Sequence, residues 1–111
     1  MPSSIKIEFN RFPEIAAKLP VETSAVVRKA AYDVEAYAKM VVPVDTGNLK
    51  NSIQTTVTDG GLEATTETHV EYCEYVEFGT YKMGARPYMT PAAERVSPQY
   101  ESAMRQLLNR L

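Results

Sequence analysis

The chain has 111 residues, a formal net charge of -2, 44% hydrophobic residues, no Trp and a single cysteine, Cys73. This length suits one domain covering residues 1–111, because two separate units would each be too small for a stable core. One cysteine excludes an internal disulfide, and balanced charge argues against a surface that grips nucleic acid or lipid everywhere. No run approaches the ~18 apolar residues of a membrane span, so we expect a soluble chain made in a cytoplasm, with no membrane partner.

The charges are unevenly distributed along the chain. Residues 1–50 carry a net charge of +1, residues 51–81 contain six acids and no Lys or Arg, and residues 82–111 carry +3. An acidic run of this kind is ordinarily a solvated sheet face. The alternative is that the acidic middle of one copy meets the basic end of the next in a head-to-tail ring.

The first half of the chain predicts one strand and two helices. Residues 4–9 alternate apolar and polar side chains, as a half-buried strand does. Residues 11–19 suit a short helix that is capped by Asn10 and closed by Pro20. Apolar residues then recur every three or four positions over 21–41, which predicts an amphipathic helix about 30 Å long.

The middle of the chain predicts a hairpin. Pro43 ends the long helix, and residues 45–48 have the composition of a turn. Residues 52–58 and 62–68 are rich in Thr, Val and Ile and are separated by Asp-Gly-Gly, a strong signal for two antiparallel strands.

The last third predicts a short and a long helix. Residues 72–78 suit one or two helical turns ended by Gly79, and residues 80–89 a loop or an edge strand. An apolar stripe from Val96 to Leu111 predicts a terminal helix that is entered through Thr90-Pro91 or Ser97-Pro98, with Pro98 bending or restarting it. The predicted fold is therefore α+β: a long helix in the N-terminal half and a C-terminal helix pack on a small antiparallel sheet with a central hairpin.

The string Asp45-Thr46-Gly47 resembles the catalytic tripeptide of retroviral-type aspartic proteases, in which two carboxylates share a proton across a dimer axis. In those enzymes the tripeptide follows an apolar strand in an all-β chain. Here it follows Pro43 and a long helix, so a dimeric protease is a minor alternative and no catalytic residue is predicted.

His69, Cys73 and Glu77 would share one face if residues 69–77 were all helical, and these side chains can bind zinc. Residues 65–69 favour a strand, however, which places His69 outside that helix. The acidic run lacks the Asp-rich, Gly-centred loop of a calcium site. We therefore predict no metal and no cofactor.

Three segments together resemble a known family. Residues 42–53 (VPVDTGNLKNSI), 72–80 (YCEYVEFGT) and 86–92 (RPYMTPA) look like the small tail-component family of long-tailed phages, the gene-product-ten-like family of lambdoid coliphages and prophages. The order and spacing of the three segments match those of the family from Val42 to Ala92. Tyr88 stands where the family more often has Phe, and Cys73 is not a family hallmark.

The resemblance implies a non-enzymatic virion protein of the neck or tail end, which acts in tail completion or head-to-tail joining as a ring around the DNA path. It implies an α+β layout and no cofactor. The implied partners are other copies of the chain, neighbouring head-connector or tail proteins, and DNA that passes through without sequence readout. The implied location is the virion, after assembly in the host bacterial cytoplasm.

Thirteen motif residues are candidates for a role in the fold or in assembly. Asp45 and Thr46 can turn the chain and cap residues 48–52, while Gly47 allows a backbone conformation closed to other residues. Each motif residue can equally define the fold without touching a partner. The set is Pro43, Asp45, Thr46, Gly47, Leu49, Ser52, Glu77, Phe78, Gly79, Arg86, Pro87, Tyr88 and Pro91.

Charged residues within the motifs carry the assembly hypotheses. Glu77 is predicted to pair with a basic group such as Arg86, either within one subunit or across a ring interface. Glu63, Glu67 and Glu71 are predicted to flank a DNA channel and repel phosphate. The competing class is a small regulatory or nucleic-acid-binding module that would use the basic terminal helix.

Overall fold

The computed structural model describes residues 4–9, 13–42, 47–82 and 84–111. Within these ranges it is an α+β fold of five α-helices and one three-stranded antiparallel sheet, which confirms the predicted class. The elements in chain order are β1 (Ile5–Phe9), α1 (Pro13–Lys18), α2 (Pro20–Val41), α3 (Gly47–Ser52), β2 (Gln54–Thr58), β3 (Glu63–Thr68), α4 (Cys73–Phe78) and α5 (Met89–Leu108).

The sheet has the strand order β1-β3-β2, so the second strand of the hairpin lies in the centre. Strand β3 pairs Thr66 with Ile7 of β1 and with Thr55 of β2. Its side chains alternate between a buried face and a half-buried outer face, as strand geometry requires. The predicted hairpin is confirmed, although β2 begins at Gln54 because Ser52 is still the last residue of α3.

The hairpin turn packs against α2. Residues Asp59–Gly61 form a short 3-10 turn in which Gly60 and Gly61 have φ values of 65° and 90°. A side chain on Gly61 would also collide with the Ser24 hydroxyl and the Arg28 guanidinium. Gly61 therefore meets two demands at once: a left-handed backbone and a close approach to the helix.

Helix α2 is the centre of the core, as the sequence predicts. Its buried face includes Val27, Ala31, Val34 and Ala38, at the three- and four-residue intervals of an amphipathic helix. It begins at Pro20, whose missing N–H costs nothing in the first helical turn. Helix α1 ends two residues earlier, while the predicted cap at Asn10 and the predicted stop at Pro43 lie outside the described residues.

Buried hydroxyl groups connect the sheet to α2. The Thr66 hydroxyl donates a hydrogen bond of 2.8 Å to the carbonyl of Ala31, and the Thr55 hydroxyl lies 2.8 Å from that of Thr66. Thr66 is fully buried. The inner sheet face thus uses a β-branched side chain that both packs and satisfies its own polar atom.

Replacing Thr66 by valine is expected to lower the free energy of unfolding by about 1–2 kcal/mol, because the shape is kept while a buried hydrogen bond is lost. The matched control is Thr65→Val on the outer face of the same strand, for which we expect a change within about 0.5 kcal/mol. Urea unfolding followed by circular dichroism measures both. Equal losses in the two variants would contradict the role assigned to the Thr66 hydroxyl.

Helix α5 packs along α2 and reaches β1, where the Phe9 and Tyr100 rings meet edge to face at 4.8 Å. It begins at Met89 and continues through Pro98, so the predicted restart at Pro98 is wrong. Val96 before the proline and Met104 and Leu107 after it are buried along one face, which keeps the helix in register with α2. The predicted apolar stripe continues to the end, but Leu108 and Leu111 are exposed.

Candidate assembly surface

The short helix α4 is joined to the start of α5 by one buried carboxylate. Glu77 is only 2% exposed. Its Oε1 accepts hydrogen bonds from the backbone N–H groups of Tyr88 at 3.1 Å and Met89 at 2.8 Å, and its Oε2 accepts one from Thr90 at 3.1 Å. These are N–H groups that the first turn of a helix leaves without partners, at the end where a negative charge is favourable.

Two further bonds hold the segment between α4 and α5. The Tyr88 hydroxyl, which is buried, donates to the carbonyl of Cys73 at 3.0 Å, and the backbone N–H of Arg86 donates to the carbonyl of Val76 at 2.8 Å. Gly79 ends α4 with a φ of 79°, and its N–H bonds back to the carbonyl of Tyr75. The predicted helix stop at Gly79 is confirmed, and α4 is held in a set orientation on α5.

The outer side of this segment exposes three aromatic side chains. Tyr75, Phe78 and Tyr81 are 56, 68 and 93% exposed, and we call them the aromatic face. Lys82 lies over the Tyr81 ring with its Nζ 5.5 Å from the ring centre. Tyr75 and Phe78 belong to α4, whereas Tyr81 lies in the loop after it. Exposed aromatic side chains that cluster in this way are typical of protein interfaces.

A second exposed apolar surface lies at the other end of α5. Ile15 of α1 and Met104 and Leu108 of α5 line a shallow hollow together with Glu101 and Arg105. We call this the α5-end hollow. Leu111, three residues after Leu108, is also exposed.

The predicted motif residues other than Glu77, which is buried at the junction of α4 and α5, lie in different surroundings. Pro43, Asp45 and Thr46 lie outside the described residues, so the predicted turn and cap stay predictions. Leu49 and Tyr88 are fully buried, which gives both a role in the core. Those with exposed or half-buried positions are Ser52, Phe78, Gly79, Arg86, Pro87 and Pro91, while Gly47 is the first residue of α3.

The acidic residues occupy the outer side of the sheet and the segment that follows it. Glu63 and Glu67 are half-buried on the outer face of β3, and Glu71 is exposed beyond the end of the strand. Glu67 lies 3.1 Å from the His69 imidazole and is paired in register with Lys6 of β1. The acidic face therefore has a lysine and a histidine beside it.

The His69, Cys73 and Glu77 side chains are in different surroundings. His69 is exposed beside Glu67, whereas Cys73 and Glu77 are buried and the Glu77 oxygens are occupied by backbone N–H groups. Burial, followed by the nearby Glu74 charge, raises the pKa of the Cys73 thiol, which disfavours the thiolate that a metal needs. Within the described residues no group of three metal-ligating side chains comes together.

The partners of Glu77 are the feature that sequence reasoning missed. The prediction of a basic partner such as Arg86 stays a prediction, because the contacts assigned to the carboxylate are backbone N–H groups. One signal was available: the residue before α5 is Tyr88, which makes no side-chain cap. When a helix begins without Ser, Thr, Asp or Asn at its N-cap, a side chain from elsewhere in the chain can accept the free N–H groups instead.

The Tyr88 phenol gives the junction a test at alkaline pH. Burial, followed by the neighbouring Cys73 and Glu77, raises the pKa of Tyr88 above its ordinary value. A raised pKa means that the folded protein keeps a proton that the unfolded chain loses from about pH 10 upward. The stabilising contribution is therefore complete below that pH and is lost as the pH rises further.

Tyr88→Phe is expected to lose about 1 kcal/mol of stability at pH 7, because the bond to Cys73 disappears. Between about pH 9 and 11 it should lose less further stability than the wild type, since this ionisation is gone. Urea unfolding at both pH values checks this, with Tyr81→Phe in the exposed loop as the control. If the stability of Tyr88→Phe fell as steeply with rising pH as that of the wild type, the pKa assigned to Tyr88 would be contradicted.

The fold and the surface define a class: a small α+β protein whose described residues expose apolar side chains on α2, on and after α4, and at the end of α5. The chain belongs to the HK97-gp10-like family, described as "Bacteriophage HK97-gp10, putative tail-component", which it matches over residues 8–79. This confirms the resemblance to a phage tail component. Comparisons with curated proteins and with solved structures found no match. Among the described helices, none has the length and apolar character needed to cross a membrane.

Proposed function

We propose that the chain is a structural protein of the neck or tail end of a long-tailed phage, where it acts in tail completion or head-to-tail joining. Copies of the chain assemble in the host bacterial cytoplasm into an oligomeric ring around the DNA path, and the ring remains in the virion. Its partners are other copies of itself and neighbouring head-connector or tail proteins. Membership of the tail-component family supports a role in the tail.

The observation that carries the assembly part of the proposal is the pair of exposed apolar surfaces at the two ends of α5. Phe78 is 68% exposed at one end, and Leu108 is 51% exposed at the other. Exposed apolar side chains that lie together on the surface favour contacts with other subunits. A subunit with a docking surface at each end can join two neighbours, as a ring requires.

The test is deletion of the gene from the phage or prophage that encodes it, followed by electron microscopy of the lysate. We expect separate full heads and tails, or tails with abnormal ends, and restoration of normal particles by a plasmid copy of the wild-type gene. Normal particles from the deletion strain would refute the function. A small nucleic-acid-binding module, in contrast, would leave virion morphology unchanged and would bind DNA in a salt-sensitive way.

The acidic outer face supports a role in which the ring surrounds DNA without binding it. Glu63, Glu67 and Glu71 fall in a stretch of the chain without Lys or Arg. If they flank the channel, they repel phosphate and keep moving DNA from adhering, without any base readout.

Glu63→Lys combined with Glu71→Lys is expected to make particles retain DNA, because two phosphate-attracting charges replace two repelling ones. The measurement is the fraction of full particles that release DNA when triggered by receptor. The control is Glu94→Lys, an exposed position on α5. Unchanged DNA release by the double variant would show that Glu63 and Glu71 do not flank the channel.

A further inference from the structure

We propose that the aromatic face of one copy docks into the α5-end hollow of the next copy, and that this contact is the repeating interface of the assembly. This inference rests on the proposed function, because it names the surface through which the ring subunits meet. The contact is head-to-tail: each copy inserts Phe78 into one neighbour and receives the Phe78 of the other.

The donor surface is preorganised. Helix α4 has only six residues, yet Glu77 and Tyr88 attach it to α5 from the buried side through four hydrogen bonds. Phe78 and Tyr75, on the opposite side, are therefore held in place before any partner arrives. Ordering costs on binding are small for such a surface, since neither the helix nor its orientation has to form during docking.

The receiving surface has the matching apolar character. Ile15, Met104 and Leu108 form the floor and wall of the α5-end hollow. Leu108 is 51% exposed although it belongs to the apolar stripe of α5, so covering it removes apolar area from water. An aromatic ring that projects from a short helix suits a shallow hollow of this kind, as an anchor residue suits a pocket at an interface.

Charge complementarity points to a second copy as the occupant. Glu74 is exposed one helical turn before Phe78, and Glu71 is exposed just before α4 begins, while Lys82 lies on the other side of the aromatic face. Arg105 and Glu101 both line the hollow, and Arg110 is exposed just beyond it, so bases outnumber acids around the hollow by one. Docking that places the Glu71 and Glu74 side of the aromatic face beside Arg105 and Arg110 pairs opposite charges, which favours this contact and its orientation over a contact between like surfaces.

The geometry forbids the two surfaces from meeting within one subunit. The aromatic face adjoins the first residue of α5 through Glu77, and the hollow adjoins the last turn of the same 20-residue helix. At 1.5 Å per residue they are separated by about 30 Å of rigid helix. Two different surfaces at opposite ends give a heterologous contact, which closes into a ring or continues as a filament.

The experiment is thiol cross-linking in assembled particles. Phe78→Cys and Leu108→Cys are introduced into the same chain, and particles from a lysate are treated with a short bis-maleimide. The double variant is expected to give a ladder of covalent multimers, because each copy is linked to both neighbours. Each single variant should stay monomeric, and so should the wild type, whose only cysteine, Cys73, is buried.

A matched control moves one thiol away from the interface: Thr56→Cys, on the outer sheet face, combined with Leu108→Cys is expected to give no ladder. Dimers from Phe78→Cys alone would indicate a contact between like surfaces and overturn the proposal, as would a link only to a different protein. Because Phe78 and Leu108 make the proposed contact, a second pair, Lys82→Cys with Asn109→Cys, places thiols at exposed positions beside the two surfaces and keeps both apolar residues. Particles that contain this second pair but give no ladder would overturn the proposal as well.

The outcome separates this inference from the proposed function. Defective particles after gene deletion would support the tail function. If complemented particles then gave no ladder, the proposed interface alone would be refuted. Normal particles after deletion would remove the function. A ladder from the purified double variant would in that case still support docking between copies.

Discussion

Glu77→Ala is expected to lower the free energy of unfolding by about 3–4 kcal/mol, the largest loss we expect from one polar side chain of this protein. The substitution removes a buried carboxylate that accepts three backbone hydrogen bonds and leaves those N–H groups at the start of α5 without it. Hydrogen bonds to a charged acceptor are about twice as strong as neutral ones. Because small domains are stable by only about 5–15 kcal/mol, this loss is a large fraction of the total stability.

Glu77→Gln separates charge from shape. The amide keeps the volume and one carbonyl oxygen, but it loses the negative charge and turns a donor towards one of the N–H groups. We expect the free energy of unfolding of Glu77→Gln to lie between those of the wild type and Glu77→Ala. The control is Glu74→Ala, an exposed glutamate of the same helix, which should change stability by less than about 0.5 kcal/mol.

Urea unfolding and hydrogen exchange of the α5 amides measure these effects. The amides of Met89 and Thr90 should lose protection first, since they donate directly to Glu77. Glu77→Ala protein as stable as Glu74→Ala protein would show that the carboxylate does not hold the junction.

Leu49→Ala is expected to cost about 2–5 kcal/mol, the range for removing a fully buried leucine side chain and leaving a cavity. Leu49 lies in α3 and has no exposed surface. It belongs to the segment that resembles the phage tail components, so the result decides between two roles for a motif residue. A stability loss with normal assembly at low temperature assigns Leu49 to the fold.

The neighbouring Lys50→Ala is the matched control, because Lys50 is exposed on the same short helix. Its stability should change by less than about 0.5 kcal/mol. If Leu49→Ala were as stable as Lys50→Ala and yet failed to assemble, Leu49 would be an interface residue, against its buried position.

The elements that sequence reasoning predicted well are those with local causes. The apolar spacing of α2 and the Asp-Gly-Gly turn of the hairpin depend on residues a few positions apart, and both are present as predicted. The end of α4 at Gly79 is of the same kind, since a positive φ follows from the residue type. The acidic middle and the basic end could likewise be read from the chain.

The candidate site depended on contacts that local patterns do not contain. Glu77 reaches Tyr88, Met89 and Thr90 only because the intervening loop turns back, and its charge alone predicted a basic partner. Leu108 carried the same apolar signal as Leu107, but the fold buries one and exposes the other. Pro98 predicted a bend or a restart of the helix, but burial on both sides of it keeps α5 continuous, so the restart is wrong.

The sequence by itself determined the α+β class, the long central helix, the hairpin, the family resemblance and the polarity of charge along the chain. Each of these follows from residue type and spacing, which act over one or two turns of backbone. Only the tertiary structure decided that Glu77 caps α5, that the aromatic face is exposed, and that a hollow forms between α1 and the end of α5. Those features depend on which segments, far apart in the sequence, pack together around α2, and local sequence patterns do not contain that information.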